Sequence, residues 1–494
     1  MSNKNKTNKK KSFYFQDYTE SEILGNNINF NIQKISLHRV TFLSFIFFSL
    51  ILICSIKIIY LALSPEKNFY TNNIKKDFIK NRRDIIDRND SVLATNVDLY
   101  DVGVRPKLLK KKEKKNLIIK LGLLLPEIDL KKIKHKLDND EFFWLGKRLT
   151  PQEKDRLWLI GNKAFVFEPR PSRIYPQRNL FSHVLGQTDD INDGISGIEK
   201  FFDKDLNNKK KIEIPLRLTL DSNLQYLIRQ ELIQAQLDFN NVGSAAILMN
   251  VENGAILSLI SLPDYDLNKR ISIDSDVFTN KITLGVYELG SVFKTFTIAA
   301  GLENKLINPN TVFKNLESSL TCDKYTISEH DKLPKNLSTE QILIQSSNIG
   351  AVRIAQKIGV KKYRDFLNSL ELLSTINFDL EEIGTPLSFN WGKCKLATSA
   401  YGHGITTTPL QLAKAYAILG NGGYKIQPTL LQKETISLEK REQIISEKTS
   451  NAINLMLRKV VSQNEGTANF ANIEGYEIAG KTGTAVKYNS KEKL

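Results

Sequence analysis

The sequence predicts an α+β protein whose main part follows a single membrane-spanning helix. An uncharged apolar run covers residues 40–56, and two β-rich apolar runs flank an Asn-Gly pair within residues 243–263. Helical patterns and a late strand follow at residues 291–302, 340–358, 409–419 and 476–481. Strands, then a block of helices, then a strand are typical of an α+β domain in which helices flank an antiparallel sheet.

The length and composition predict a multidomain globular protein. A chain of 494 residues is too long for one hydrophobic core, so two or three folded units are expected. With 41% hydrophobic and 25% charged residues, extensive disorder is excluded. Much of the formal charge of +16 comes from lysine runs at 110–115 and 131–136. We interpret these runs as solvated helix faces and expect no nucleic-acid partner.

The few cysteines and histidines argue against a disulfide framework and a metal site. Cys54 lies inside the apolar run, which leaves Cys322 and Cys394. These two could pair in an oxidising compartment, but we expect them to remain unpaired. The five histidines occur without an HExxH or CxxC spacing, so we expect no metal and no cofactor.

The apolar run predicts a membrane anchor with its N-terminus in the cytoplasm. It extends past Lys57 to Leu63, which is long enough to span a bilayer and too long for a cleaved signal peptide. Lysines and arginines outnumber acidic residues in the preceding 39 residues, and such basic segments stay cytoplasmic. We therefore predict one crossing of the inner membrane, with everything after about residue 64 exported.

The region between the anchor and the hairpin is mixed in pattern. Its charged and proline-rich segments, at residues 82–90 and 169–176, are typical of loops fixed by turns and ion pairs. Asp221 or Ser222 is the predicted cap of a helix that leads into the hairpin. Both hairpin strands are almost continuously apolar, so we expect both of their faces to be covered.

Ser291 and Lys294 are the first candidate catalytic residues. They begin a predicted apolar helix, and residues three apart share a helical face, so the hydroxyl and the amine can touch. A serine needs a base to become nucleophilic, and burial lowers the pKa of a lysine enough for it to be that base.

The Ser-x-x-Lys spacing alone is weak, because it also occurs by chance. It recurs at Ser64, Ser437 and Ser490. These three serines lie beside the anchor, in a charged segment and in the C-terminal tail, outside any apolar helix. We interpret them as coincidental.

Two further motifs follow in the same predicted domain. Ser346 and Asn348, in a Ser-x-Asn motif between helical stretches, can both point into one cleft, although a polar turn or the similar motif at residues 388–390 remains an alternative. The Lys-Thr-Gly segment, which occurs once, continues the predicted late strand. It offers a cation, hydroxyls and a glycine that permits close backbone approach, and its alternative is an edge strand protected by lysine. Its residues are Lys481, Thr482, Gly483 and Thr484.

The ordered set Ser-x-x-Lys, Ser-x-Asn, Lys-Thr-Gly resembles that of penicillin-binding proteins and serine β-lactamases. The sequence is most similar to the class B, cell-division type (penicillin-binding protein 3 type). The segments that support this resemblance are 261–266, 287–291, 401–405, 408–413 and 479–484. It implies a β-lactamase-like transpeptidase domain at 236–494, a mixed α/β pedestal or dimerisation domain at 64–235, a transmembrane helix at 40–63 and a cytoplasmic tail at 1–39.

The resemblance also implies an activity and residue roles. The enzyme would be a serine-type peptidoglycan D,D-transpeptidase that cross-links stem peptides at the division septum and is acylated by β-lactams. Ser291 would attack the substrate, Lys294 would take its proton, Ser346 would relay a proton, and Asn348 would bind substrate and steady Lys294. The Lys-Thr-Gly segment would bind the terminal carboxylate. Other division-complex membrane proteins are the implied partners.

The chain departs from the family pattern in two places. Asp84 and Asp90 stand where the family usually has glycine, so we expect the local turns to differ. The family also has two strands and a helix after Lys-Thr-Gly, where only residues 485–494 follow. We expect a C-terminally truncated chain that is itself inactive. The alternatives are a non-catalytic septal scaffold and a β-lactam-binding hydrolase or sensor.

Overall fold

The computed structural model describes most of the chain. The described ranges are 32–63, 81–124, 129–269, 276–323, 325–387, 389–392, 394–432 and 441–485. The chain divides into two compact units, Met1–Ile74 and Lys75–Leu494. The first unit contains the apolar helix, and the second contains the predicted hairpin and helical block.

Helix α1 (Ile32–Leu63) contains the predicted membrane span. Its segment Val40–Tyr60 has 21 residues and a mean hydropathy of 2.5, and its large apolar side chains are exposed. At 1.5 Å per residue this segment is about 30 Å long, which matches the hydrocarbon thickness of a bilayer. By length and composition, this helix can cross a membrane.

The second unit begins with a five-stranded sheet built around one long strand. The strands are β1 (Ile85–Ile86), β2 (Val92–Val104), β3 (Phe143–Leu149), β4 (Phe165–Ile174) and β5 (Leu216–Arg217). Strand β2 pairs antiparallel with β1, β3 and β4, while β1 pairs parallel with β5. The β2–β4 ladder is long and runs without a break from the Thr95–Ile174 pair to the Val104–Phe165 pair.

Helices cover the sheet and bury a separate apolar core. They are α2 (Lys111–Leu124), α3 (Leu130–Asp138) and α4 (Pro151–Trp158), followed by the short helices α5 (Ser182–Leu185), α6 (Gly197–Phe201) and α7 (Asp203–Leu206). Leu121 and Leu137 are fully buried against this core, whereas the lysines of α2 and α3 are mostly exposed. The interpretation of the lysine runs as solvated helix faces is confirmed.

A buried ion-pair network ties the sheet to the helices. Glu199 is fully buried and accepts from Arg82 Nε at 2.8 Å and from Arg173 Nε at 2.7 Å. Arg82 also donates to Asp203 at 2.6 Å. Removing one partner of such a buried network leaves an unpaired charge, which typically costs about 3–5 kcal/mol. These charges therefore fix the first strands relative to α6 and α7.

The predicted hairpin is confirmed, with one correction. Strands β6 (Ser244–Met249) and β7 (Ile256–Leu262) pair antiparallel, and α8 (Ser222–Phe239), capped by Asp221, packs on them. Strand β7 is almost completely buried, but β6 is half-exposed. The expectation that both strands are covered on both faces was wrong for β6, because Ala245 and Leu248 stay exposed although α8 and α14 both contact this strand.

The helical block forms the largest core. Its helices are α9 (Phe293–Glu303), α10 (Thr339–Ile344), α11 (Asn348–Ile358), α12 (Val360–Ser369), α13 (Lys395–Ser399), α14 (Pro409–Gly420) and α15 (Glu447–Ser462). Short strands lie between α9 and α10: β8 (Val312–Phe313), β9 (Ser319–Cys322), β10 (Tyr325–Ser328) and β11 (Leu337–Ser338). Strands β9 and β10 form a hairpin, and β8 pairs with β11 around it. Helix α9 is buried from Phe293 to Gly301, so its first turn is fixed by packing on all sides.

The late strand predicted at residues 476–481 is not formed. Residues 476–485 are irregular, and Tyr476 is 69% exposed. A strand exists through hydrogen bonds to a neighbouring strand, and no strand lies beside this segment in the described part of the chain.

The expectation that Cys322 and Cys394 remain unpaired was also wrong. Cys322 ends β9 and Cys394 immediately precedes α13, and the two form a disulfide across a Cα–Cα distance of 5.7 Å. Their separation of 72 residues gave no sequence signal for this proximity. The disulfide connects the β9–β10 hairpin to the start of α13.

Reduction of this disulfide is expected to destabilise the second unit. Closing a loop of 72 residues stabilises a protein by about 2–4 kcal/mol, chiefly by restricting the unfolded chain. Urea unfolding of the detergent-solubilised protein, with and without reductant, measures the loss. The effect should persist in Cys54→Ser and vanish in Cys322→Ser. An unfolding free energy that reductant does not change would contradict the stabilising role.

Candidate active site

Ser291 lies on a turn that close backbone contacts hold in place. The turn, Gly290–Val292, precedes α9. Gly290 has φ +59°, and a Cβ there would lie 2.0 Å from the carbonyl oxygen of Thr484. On the other side, a Cβ at Gly402, which has φ +84°, would lie 2.0 Å from the carbonyl oxygen of Gly290. Only glycine fits at both positions, so Ser291 is presented next to the Lys-Thr-Gly segment.

Lys294 lies one turn further along and is 1% exposed. Its Nζ donates to the carbonyl oxygen of Ser346 and to Ser346 Oγ, the latter at 3.0 Å. The structure has no direct hydrogen bond between Ser291 and Lys294, although both residues are described. Catalytic hydrogen bonds are often long in the absence of substrate and tighten when substrate binds. In this structure, Lys294 is positioned by Ser346.

The pKa of Lys294 is lowered from 10.5 to about 7. Burial is the main cause, and the charge of Lys481 lowers this pKa further, whereas the carboxylate of Glu329 raises it. Burial disfavours the charged form of an amine because the interior solvates it poorly. A substantial fraction of Lys294 is therefore neutral at neutral pH, which is the condition for accepting a proton.

The Ser-x-Asn motif forms the opposite wall of the site. Ser346 is a non-glycine residue with φ +59°, and Ser347 Oγ caps α11 by accepting from the backbone N–H of Gly350 at 2.9 Å. Asn348 Nδ2 donates to the carbonyl oxygen of Ser328 at 2.8 Å. The predicted contact between Asn348 and Lys294 is not formed, because the Asn348 amide is bonded to the end of β10.

Sequence reasoning missed Glu329, which follows β10. Its carboxylate accepts from Ser347 Oγ at 2.6 Å and from the backbone N–H groups of Asn348 and Ile349 at 2.7 and 2.9 Å. No sequence spacing links an isolated glutamate to the Ser-x-Asn motif, and the link depends on the β9–β10 hairpin. Only the three-dimensional structure identifies this residue.

The Lys-Thr-Gly segment lies against the Ser291 turn. Burial lowers the pKa of Lys481 to about 8, and Lys481 Nζ donates to the carbonyl oxygen of Thr482 at 3.0 Å. A Cβ at Gly483 would lie 2.8 Å from the carbonyl oxygen of Leu289, so the predicted close backbone approach at this glycine is confirmed. The segment approaches the nucleophile turn without belonging to a strand.

These motifs meet at one cleft of about 590 Å³. Six of the eight predicted site residues line it: Ser291, Lys294, Ser346, Asn348, Thr482 and Thr484. Glu288, Tyr401 and His403 lie at the same cleft, and His403 Nδ1 is 3.2 Å from the Glu288 carboxylate. The competing serines 64, 388, 437 and 490 lie outside the described residues. The cleft combines a serine, a lysine of lowered pKa and hydroxyl groups, which suits acyl transfer.

Comparisons with known proteins match nearly all of the chain outside its N-terminus. Residues 244–494 match the penicillin binding protein transpeptidase domain, and residues 80–220 match the penicillin-binding protein dimerisation domain. The two matches correspond to the helical block with its hairpin and to the five-stranded sheet region.

Curated relatives agree with these matches. A probable peptidoglycan D,D-transpeptidase FtsI of Caulobacter vibrioides is 30% identical over 83% of this chain and 69% of its own length. A peptidoglycan D,D-transpeptidase FtsI of Buchnera aphidicola is 30% identical over 97% of this chain and 89% of its own length. The stage V sporulation protein D of Bacillus subtilis is 28% identical over 86% of this chain and 71% of its own length. The chain therefore belongs to the class B penicillin-binding proteins, of the cell-division type.

Proposed function

We propose that this protein cross-links peptidoglycan stem peptides at the division septum through an acyl-enzyme on Ser291. The observation on which this rests is the single cleft that unites Ser291, the Lys294–Ser346 pair and the Lys-Thr-Gly segment. The names of the FtsI relatives, peptidoglycan D,D-transpeptidases, support the reaction type.

The first step is attack by Ser291 Oγ on the penultimate D-Ala carbonyl of a donor stem. The new O–C bond forms as the hydroxyl proton passes to the neutral amine of Lys294. The C–N bond to the terminal D-Ala then breaks, and the departing amine takes up the proton through the Ser346 hydroxyl. Lys294 suits the role of base because its pKa is lowered to about 7.

The second step transfers the acyl group. The amine of a second stem attacks the Ser291 ester, a new amide forms, and the ester C–O bond breaks. Ser291 recovers a proton from the incoming amine by the same Lys294–Ser346 route. A β-lactam enters at the first step, because opening of its ring amide gives an ester on Ser291 in place of the substrate acyl group.

The Lys-Thr-Gly segment is proposed to recognise the terminal carboxylate. Lys481 supplies positive charge from behind the cleft, and the hydroxyls of Thr482 and Thr484 line it. The backbone N–H groups of Ser291 and Thr484 are proposed to form the oxyanion hole, in which one donor typically lowers the barrier by about 3–4 kcal/mol. The Asn348 amide is proposed to bind the substrate backbone.

The remaining regions are proposed to place this domain at the septum. Residues 1–39 would be cytoplasmic, 40–63 would cross the inner membrane, and the periplasmic pedestal at 64–235 would carry the transpeptidase domain at 236–494. Support comes from the apolar segment Val40–Tyr60, the basic tail and the two domain matches. Other division-complex membrane proteins would bind the anchor and pedestal.

Ser291 is expected to be the acylated residue. The protein, treated with a fluorescent penicillin and digested, should yield one labelled peptide that contains Ser291. Ser291→Ala should abolish the label, whereas Ser462→Ala, which removes an exposed hydroxyl at the end of α15, should retain it. A label that survives Ser291→Ala would contradict the assignment.

The acylation rate is expected to rise with pH, with an apparent pKa of about 7. Lys294 is a base only when deprotonated, and its folded pKa is lowered, so activity is lost as pH falls through that value. Lys294→Arg retains the charge but cannot be deprotonated, and should reduce acylation by orders of magnitude while folding is preserved. Stopped-flow acylation between pH 5 and about 9 measures both effects. Near-normal acylation by the arginine variant would show that Lys294 is not the base.

The N-terminus is expected to lie in the cytoplasm. A reporter that is active only outside the cytoplasm, fused after residue 70, should be active, because the basic tail stays inside. A cytoplasmic reporter fused at the same position is the control and should be silent. The reverse pattern would show that the orientation is wrong.

A further inference from the structure

Glu329 connects the β9–β10 hairpin to the start of α11. It is half-buried, directly follows β10, and bonds with both carboxylate oxygens to the first residues of the helix. Oε1 accepts from Ser347 Oγ and from the N–H of Ile349, and Oε2 accepts from the N–H of Asn348. The first N–H groups of a helix have no partner within the helix, and an anionic acceptor is the strongest partner available to them.

This arrangement determines where Ser346 lies. Ser346 immediately precedes the residues held by Glu329, and its φ of +59° is uncommon for a residue with a side chain. On its other side, the Ser346 N–H donates to the carbonyl oxygen of Leu343 at 3.2 Å. Ser346 is thus held between α10 and α11, with its carbonyl oxygen and its hydroxyl turned towards Lys294 Nζ.

Glu329 is itself fixed from two directions. Asn348 Nδ2 donates to the carbonyl oxygen of Ser328, so the helix also holds the residue before Glu329. Strand β10 pairs with β9, whose last residue is joined by the Cys322–Cys394 disulfide to the start of α13. The carboxylate is therefore presented by a hairpin that is bonded to α11 at one end and to the start of α13 at the other.

We infer that Glu329 is a positioning residue for acylation, whose carboxylate holds the first turn of α11 and thereby keeps Ser346 against Lys294. The inference rests on the proposed roles of Lys294 and Ser346. Glu329 does not touch the reacting atoms in this arrangement. Its effect on the rate passes through the geometry of the Lys294–Ser346 pair.

The charge of Glu329 gives a second, separable signature. Two charged groups act on Lys294: Lys481 lowers its pKa and Glu329 raises it, while burial lowers it most. His330 and Asp331 lie at the same cleft, beside Glu329. Removing the negative charge of Glu329 should lower the pKa of Lys294 and move the acid limb of the rate profile to lower pH. The plateau at high pH, where Lys294 is neutral in every variant, reports only on positioning.

The test compares complete pH–rate profiles of acylation, normalised to the fraction of protein that labels. Glu329→Gln replaces one acceptor oxygen with an NH₂ group that faces an N–H donor. The acylation rate on the high-pH plateau should therefore fall by about tenfold, which corresponds to about 1.4 kcal/mol. The acid limb of the rate profile should also move to lower pH. Glu329→Asp keeps the charge but shortens the side chain. The plateau acylation rate should therefore fall, while the acid limb of the rate profile should stay at the wild-type pH. Glu317 is an exposed glutamate in the same segment between α9 and α10. Glu317→Gln is therefore the matched control and should reproduce the wild-type pH–rate profile.

The outcomes distinguish the inference from the proposed function. If the wild-type protein labels at Ser291 and both Glu329 variants retain the wild-type plateau, the positioning role is overturned and the transpeptidase assignment stands. If the variants lose only thermal stability at an unchanged plateau, Glu329 has a structural role alone and the inference is again overturned. If the wild-type protein does not label at Ser291, the proposed function and this inference both fail.

Discussion

Lys294 is a buried amine with Ser346 as its hydrogen-bond partner, and the site depends on that burial. A lysine with a pKa near 7 is protonated in the unfolded chain at pH 7 but only partly so in the folded protein. Folding therefore costs roughly 4 kcal/mol at that pH, and the cost disappears only above the unfolded value near 10.5. The apolar packing of α9, whose first turns are buried, offsets this free energy.

A second constraint is the contact of three distant backbone segments at Gly290. The carbonyl oxygen of Thr484 lies on one side of this glycine, and Gly402 approaches its carbonyl oxygen on the other. The contact places Lys481 close enough to Lys294 for its charge to lower the Lys294 pKa. In the proposed mechanism, carboxylate recognition and proton transfer would therefore be coupled, because a bound substrate carboxylate would partly neutralise the charge of Lys481 that favours neutral Lys294.

Local patterns were sufficient to predict the features that depend on neighbouring residues. The helix from Ser291, the β6–β7 hairpin and the capping of α8 by Asp221 each follow from a few consecutive side chains, and the structure has all three. The order of the Ser-x-x-Lys, Ser-x-Asn and Lys-Thr-Gly motifs matches a known family, and this match was enough to identify residues that lie together in the structure. The hydrogen-bond partners of those residues were not predictable from the motifs, as the Asn348–Ser328 contact shows.

Three outcomes that differ from the sequence-based expectations each depend on a partner far along the chain. A strand at 476–481 depends on a neighbouring strand, the Cys322–Cys394 disulfide on the approach of β9 to α13, and Glu329 on the position of a hairpin. The last two belong to one assembly, since the disulfide fixes the hairpin that carries Glu329. The reduced protein should therefore lose more than stability: a hairpin freed at Cys322 would hold α11 less firmly, and Ser346 would move relative to Lys294. Loss of disulfide and loss of the Glu329 carboxylate would then lower acylation through the same displacement, and their effects in a double variant would be less than additive.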